Sequence, residues 1–284
     1  MKSRLDSVRK IYGRLKKNRL AVVGLWIIII LVITAVFAPL IAPYDPNEQD
    51  LLSSLEGPSL AHPMGVDFFG RDVFSRVIWG ARVSLTISLV AVAISAVVGT
   101  ILGSLAGFYG SVLDEVIMRI MDVFLAIPSI LLAIAIVAVL GPRTSNLILA
   151  VSVSTIPEFS RIARSAVLVE KNKEYIEAAR AIGESRLSIL FRYALPNSMV
   201  PIIVQASLRM ATAILSVSGL GFLGLGVQPP TPEWGTDLSL ARTYLEIAPH
   251  AGIFPGIAIF LSVIGFNFLG DGLNEALNPK LKDR

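Results

Sequence analysis

Residues Leu20 to Ala42 pass without a single charged side chain, directly after a stretch in which Lys2, Arg4, Arg9, Lys10, Arg14, Lys16, Lys17 and Arg19 are opposed only by Asp6. At about 1.5 Å per helical residue such a run crosses a hydrocarbon core of about 30 Å. A secretory signal peptide also begins basic and turns apolar. Its apolar region is shorter, however, and ends at a small-residue cleavage site, whereas here Pro39 and Pro43 follow the candidate alanines. The run is therefore expected to remain as a first transmembrane helix, residues 20–42, behind a basic tail, residues 1–19.

Five more runs are long and apolar enough to cross: Val83–Phe108, Ile120–Leu140, Asn146–Ala166, Met199–Leu220 and Gly252–Gly270. The chain is 54% apolar and 16% charged, and its charges crowd between these runs instead of spreading evenly as on a soluble surface. Backbone groups in hydrocarbon must be satisfied within the segment, so the expected fold is all-α and polytopic, with six transmembrane helices. With both ends on one side, nineteen Lys and Arg fall on that side and five on the other. Basic loops stay in the cytoplasm, which predicts a cytoplasmic-membrane protein with both termini inside.

Residues 43–82 then form an external segment whose amphipathic stretch, Val73–Ala81, is expected on the membrane surface. Residues 83–284 hold the other five helices, with a cytoplasmic loop at 167–198 and an external loop at 227–251. In the latter Trp234 and Tyr244 read as interfacial aromatics beside a short helix.

Several function classes are excluded. The net charge of +4 and pI near 9.4 come from basic residues flanking apolar runs, not from a stripe interleaved with aromatics, so no nucleic-acid partner is expected. Without cysteine, and with His62 and His250 far apart, no metal site is expected. Gly219, Gly221 and Gly224 spell a dinucleotide-like spacing, but they trail a membrane run and lead into Pro229; flexibility or close helix contact explains them better. No phosphate-binding Walker loop occurs, and no clustered acid, base or nucleophile, so no catalytic residue is expected.

Within the runs, Gly99, Gly103 and Gly107 lie on one helical face and invite close approach of another helix. The intramembrane polar residues are few. Glu158 stands three residues before Arg161, the spacing of a helical ion pair at the cytoplasmic end. Arg209 lies within the fifth run, where it either lines a water-filled cavity or snorkels along its helix; these two are the pore or gate candidates.

The loop at 167–198 carries the clearest local signals. Tyr175–Ile182 reads as a short helix with the small Ala178 and Ala179 on its surface. Gly183 can close it in the left-handed conformation, Ser185 can cap the next helix, and Pro196 breaks the chain before the membrane is re-entered. Two short helices beneath a bundle suit docking in a partner's groove.

The spacing Glu177-Ala178-Ala179, Gly183, then Leu195-Pro196 resembles the EAA loop of ABC importer permeases. More narrowly, the chain resembles the C-type permease of dipeptide, oligopeptide and nickel importers. The matching stretches are His62-Pro-Met-Gly65-Val-Asp67, Gly70-Arg71-Asp72-Val-Phe-Ser-Arg76, Gly80-Ala-Arg82-Val-Ser-Leu85, the stretch from Phe222 through Pro-Glu-Trp-Gly235, and Phe266 to Leu273. The resemblance implies a five-helix importer core of the type I kind preceded by an added peripheral helix. It further implies ATP-driven import of peptides, with nickel chelates or oligosaccharides as alternatives; an ion-gradient-driven transporter is the rival class. Implied partners are a second, B-type permease, two ATP-binding subunits that hold ATP and Mg, an extracytoplasmic solute-binding protein and the lipid bilayer. Glu177, Ala178, Ala179, Gly183, Leu195 and Pro196 would dock the ATPase. Gly65, Asp67, Gly70, Arg71 and Asp72 form an external motif.

Overall fold

The computed structural model describes residues 18–277 together with Gly13. The rest of the basic tail, and the basic residues beyond Leu277 used in the charge count, lie outside the described residues. Asn18 opens α1 (Arg19–Val36), its side chain accepting the Ala21 N–H at 3.0 Å, as an N-cap must. α2 (Val73–Tyr109) starts at Asp72, whose carboxylate accepts the Ser75 N–H at 2.7 Å. α3 (Ser111–Leu125) and α4 (Ser129–Leu140) follow, then α5 (Thr144–Glu170), α6 (Glu174–Ala181), α7 (Met199–Phe222), α8 (Trp234–Ala241) and α9 (His250–Leu277). Among the described residues no strand forms, and a single isolated bridge joins Val66 to Asp72.

Two expected boundaries move. Val73–Ala81 does not lie flat as a separate surface stretch: it is the first turns of α2, a 37-residue helix some 55 Å long that projects beyond any hydrocarbon core. Its residues Val73, Ser75, Arg76, Ile78, Gly80 and Ala81 are buried, packed against α7, α8, α9 and the external loops. The third expected span is broken. α3 and α4 meet at 86° across Ala126–Pro128, where proline lacks an N–H and disfavours helical geometry in the residue before it.

α1, α2, α7 and α9 are each long and apolar enough to cross a membrane, and the bent α3–α4 pair makes a fifth crossing if taken as one span. α5 carries Glu158, Arg161 and Arg164, and its course is set by α2. The two run parallel in step: Ser95 Oγ donates to Ser152 O at 2.9 Å, Gly99 faces Ile156, Gly103 faces Ser160, and Gly107 faces Arg164. A Cβ at Gly99 or Gly107 would stand 2.7 Å from a carbonyl oxygen of α5, and one at Gly103 would collide with the Ser160 carbonyl. Where lipid offers no hydrophobic drive, this backbone proximity supplies dispersion contact instead. α1 is peripheral. Only its Ala21 and Gly24 are buried, against α9, with Asn18 Nδ2 donating to Glu275 Oε2 at 2.6 Å.

At the end of the bundle where α2 begins, residues 43–72 and 223–249 lock together. Asp67 accepts from the N–H groups of Phe69 and Arg71 and from Arg71 Nε, at 2.7–3.0 Å. Arg76, buried, donates to Asp237 (Nε, 3.1 Å), to Pro46 O (2.8 Å) and to Pro230 O (3.3 Å). His62 pairs with Asp72 at 2.9 Å and His250 Nε2 bonds Val66 O at 3.0 Å. Gly65 and Gly70 have φ of +76° and +75°, and their missing side chains admit the His250 ring and the Asp50 backbone. Trp234, expected at the membrane interface, is instead fully buried against Gly80, its Nε1 donating to Val77 O at 3.0 Å. Glu233 draws it in: this fully buried carboxylate caps α8 through the Gly235 and Thr236 N–H groups and accepts from Ser84 Oγ of α2 at 2.9 Å. Burial pushes the Glu233 carboxyl up, against the pull of those donors.

Gly103→Ala should lower the melting temperature of the purified protein, a destabilisation of about 1–3 kcal/mol from overpacking. Gly219→Ala, where nothing lies within 4 Å, should be neutral or slightly stabilising, since alanine is the better helix former. Equal effects in the two variants would remove the packing role. Burial also raises the Asp237 carboxyl from 3.8 to about 6, even with Arg76 and Arg71 opposing it. A carboxyl with a raised folded value stabilises most below its unfolded value, and that contribution is lost as pH rises through the folded one. The melting temperature of Asp237→Asn relative to the parent should therefore climb between about pH 4 and pH 7, and a flat difference would contradict it.

Candidate functional site

At the opposite end of the bundle, residues 171–198 fold into a hairpin of short helices. α6 ends as its sequence dictates. Gly183 takes φ +85°, its N–H donates to Arg180 O at 3.0 Å, and the Glu184 N–H reaches back to Ala179 O at 3.1 Å, the paired bonds of a Schellman closure. Ser185 then caps the next turn, accepting the Ser188 N–H at 3.3 Å.

The two alanines part company. Ala179 is buried with Ile176, Ile189, Leu190 and Ala194 against Phe108 and Val167 at the ends of α2 and α5, whereas Glu177 and Ala178 face outward. A helix two turns long resting on a bundle buries one residue in three or four, so adjacent positions cannot share a face. Pro196 does not break the chain either. It lies in the short helix Leu195–Asn197, after a π turn at Leu190–Ala194, and the helical run is interrupted only at Ser198. The widened turn already shifts the backbone bonds, so the missing proline N–H leaves no acceptor stranded within a regular helix. Leu195 packs partly buried on the main core.

The hairpin is fastened to two helices. Glu170, buried at the end of α5, accepts from the Tyr175 hydroxyl and pairs with Lys173 at 2.7 Å. Lys171 Nζ donates to Gly107 O of α2 at 2.7 Å. Its outer surface presents Ala178, Ile182, Gly183, Leu187 and Phe191 among the charged Glu174, Glu177, Arg180, Arg186 and Arg192, a mixed face on short helices of the kind that can enter a partner's groove.

Glu158 and Arg209 come together. The Arg209 guanidinium pairs with the Glu158 carboxylate across the α5–α7 contact, and turning the Gln205 amide puts its oxygen 2.7 Å from Arg209 Nε. The expected Glu158–Arg161 pair is thereby overturned: Arg161 binds Asp122 of α3 at 2.7 Å, and Arg164 holds Asp114 at 2.6 Å. Along α5, Arg161 and Arg164 take carboxylates that α3 offers and Glu158 takes Arg209 of α7, whereas Glu170 pairs with Lys173 three residues on. An isolated charge in hydrocarbon is too costly to leave to a distant partner.

Asp122, Asp114, Glu170 and the buried Arg76–Asp237 and Glu233 groups were not singled out by sequence spacing. Asp122, Asp114, Asp237 and Ser84 find their partners 39 to 161 residues away, whereas Glu170 is held locally by Lys173 and Tyr175 and Glu233 also caps its own helix. The Pro-Glu-Trp-Gly stretch was the one local signal for Glu233. The external residues Gly65, Asp67, Gly70, Arg71 and Asp72 face one another in the locked block, where they hold loops.

A family model described as "Binding-protein-dependent transport system inner membrane component" matches residues 99–283, and one described as "N-terminal TM domain of oligopeptide transport permease C" matches residues 8–58. The chain is 49% identical over 274 residues to a protein named dipeptide transport system permease protein DppC from Alkalihalophilus pseudofirmus, covering 96% of this chain and 90% of that one. It is equally similar, at 49%, to a di/tripeptide transport system permease protein DppC from Pseudomonas aeruginosa, with 94% and 90% covered. A glutathione transport system permease protein GsiD from Escherichia coli matches at 49%, with 98% and 93% covered. In fold, 72% of the chain superposes on 98% of a chain in an inward facing structure of the MetNI methionine ABC transporter, with a TM-score of 0.56 and 19% identity. Helical architecture and both family matches agree: this multi-pass membrane chain belongs to the family of binding-protein-dependent transport system inner membrane components.

Proposed function

We propose that the chain is the C-type pore-forming subunit of an ATP-driven importer of di- or oligopeptides in the cytoplasmic membrane. A second permease completes the pore, two ATP-binding subunits dock at the hairpin end, and a soluble binding protein delivers peptide to the locked loops at the other end. Both termini then lie in the cytoplasm, on the hairpin side. The hairpin carries the reading: a short helix closed by Gly183, outward at Glu177, Ala178 and Ile182, and fastened by Lys171 and Glu170 to α2 and α5. Motion of an ATPase groove would pass through those bonds into the long helices as rigid-body displacement. The peptide class is supported by the names of the relatives at 49% identity.

Gly183→Leu forces a branched side chain into a left-handed backbone, at a cost of about 1–2 kcal/mol, and should misplace the outward face of α6. In the reconstituted importer the ATPase response to peptide-loaded binding protein should fall several-fold, while Gly183→Asn, which tolerates that backbone, should keep most of it. Wild-type uptake and complex yield for Gly183→Leu would count against docking there. Uptake by the permease subunits alone, driven by an ion gradient, would overturn the ATP-driven reading itself.

A further inference from the structure

Arg209 is the eleventh residue of the 24-residue α7, about 15 Å from the nearer end. Glu158 is the fifteenth of the 27 residues of α5. The pair therefore sits midway along two helices, out of reach of either end by snorkelling. It is not sealed in the core: the two side chains keep 30% and 25% of their surface exposed. From Glu158 the same face of α5 continues through Arg161 and Ser165 toward the hairpin. There Met118, Asp122, Arg161, Arg164 and Ser165 line an open cleft of about 330 Å³. An exposed charged track running from midway along these helices is unsuited to front lipid.

Resting on the importer reading, we propose that Glu158 and Arg209, with Gln205 beside them, form a binding element in the solute path for the charged ends of a zwitterionic peptide. The carboxylate exchanges its guanidinium partner for the peptide ammonium, and the guanidinium exchanges its carboxylate for the peptide C-terminus. Charge stays balanced before, during and after passage, so no buried charge is left alone. A guanidinium holds a carboxylate bidentately, and Gln205 supplies a neutral acceptor that keeps Arg209 oriented when Glu158 lets go. The bland alternative is a staple between α5 and α7. A staple has no need of charge, because a packed apolar pair holds two helices as well as a buried ion pair does or better.

The double variant Glu158→Leu/Arg209→Met separates the two. In the complete importer reconstituted with its ATPases, second permease and binding protein, dialanine uptake should fall by about tenfold or more while melting temperature and ATPase response are retained. Uptake within about twofold of the parent would reduce the pair to a staple. Should that variant not assemble, accessibility decides without transport, since the chain contains no cysteine. Gln205→Cys in the ATP-free complex should react with a membrane-impermeant charged thiol reagent about tenfold faster than Leu215→Cys, an exposed apolar site on α7, as expected of a group in water. Millimolar dialanine should slow the former alone. Equal rates, or no protection, would overturn the proposal. Failure of the parent complex to couple ATP hydrolysis to dialanine uptake would instead overturn the importer reading.

Discussion

The approach of α2 to α5 along Gly99, Gly103 and Gly107 is the constraint from which the rest of the bundle takes its position. In water a helix is pressed onto its neighbour by the exclusion of solvent. In lipid only contact itself attracts, and contact deepens as side chains shrink. Three missing side chains on one face bring the α2 backbone against carbonyl oxygens of α5, and the parallel register fixes how far α5 travels. That register sets the depth of Glu158, carries the end of α5 to Glu170, and so hangs the hairpin beneath Phe108. Pro157, inside α5 next to Glu158, removes one backbone bond at the depth where the helix is clamped by glycines on one side and by Arg209 on another.

Four ion pairs join one element of the bundle to another: Arg209 with Glu158, Arg161 with Asp122, Arg164 with Asp114, Arg76 with Asp237. These bonds cross between helices, so they fix relative rotation as well as position. The two ends of the molecule differ in how tightly this is done. The loop-locking pairs are buried and surrounded by backbone donors and acceptors, which makes that end stiff. The pairs along α5 stay partly exposed.

Legibility in the sequence tracked the range of the interactions concerned. Five of the six apolar runs became helical, the second and the last extending well past their expected bounds, because length and the absence of charge decide them locally; the third bent because Pro128 outweighed its apolar neighbours. The Gly183 closure and the Ser185 cap were readable because both are set within about five residues. Ala178 and Ala179 looked equivalent until the rotation of α6 on the bundle, a tertiary fact, placed one inside. Glu158 was assigned the nearest arginine in sequence, and the true partner lay on another helix. The burial of Trp234 was hidden for the same reason: its neighbour Glu233 is held by Ser84, and nothing in the spacing of either reveals the other.

Arg76 has a consequence for how such a chain is held together. Its guanidinium joins the peripheral part, through Pro46 O, to the five-helix part, through Pro230 O and Asp237, and two of those three acceptors are main-chain oxygens. A junction that reads carbonyls is indifferent to the side chains on either flank as long as the backbone path is kept. The stretch around Pro46 is therefore held at this junction by its backbone path and not by its side chains, while charge there is balanced by Asp237 and by Asp67, 3.9 Å from Arg76 Nε.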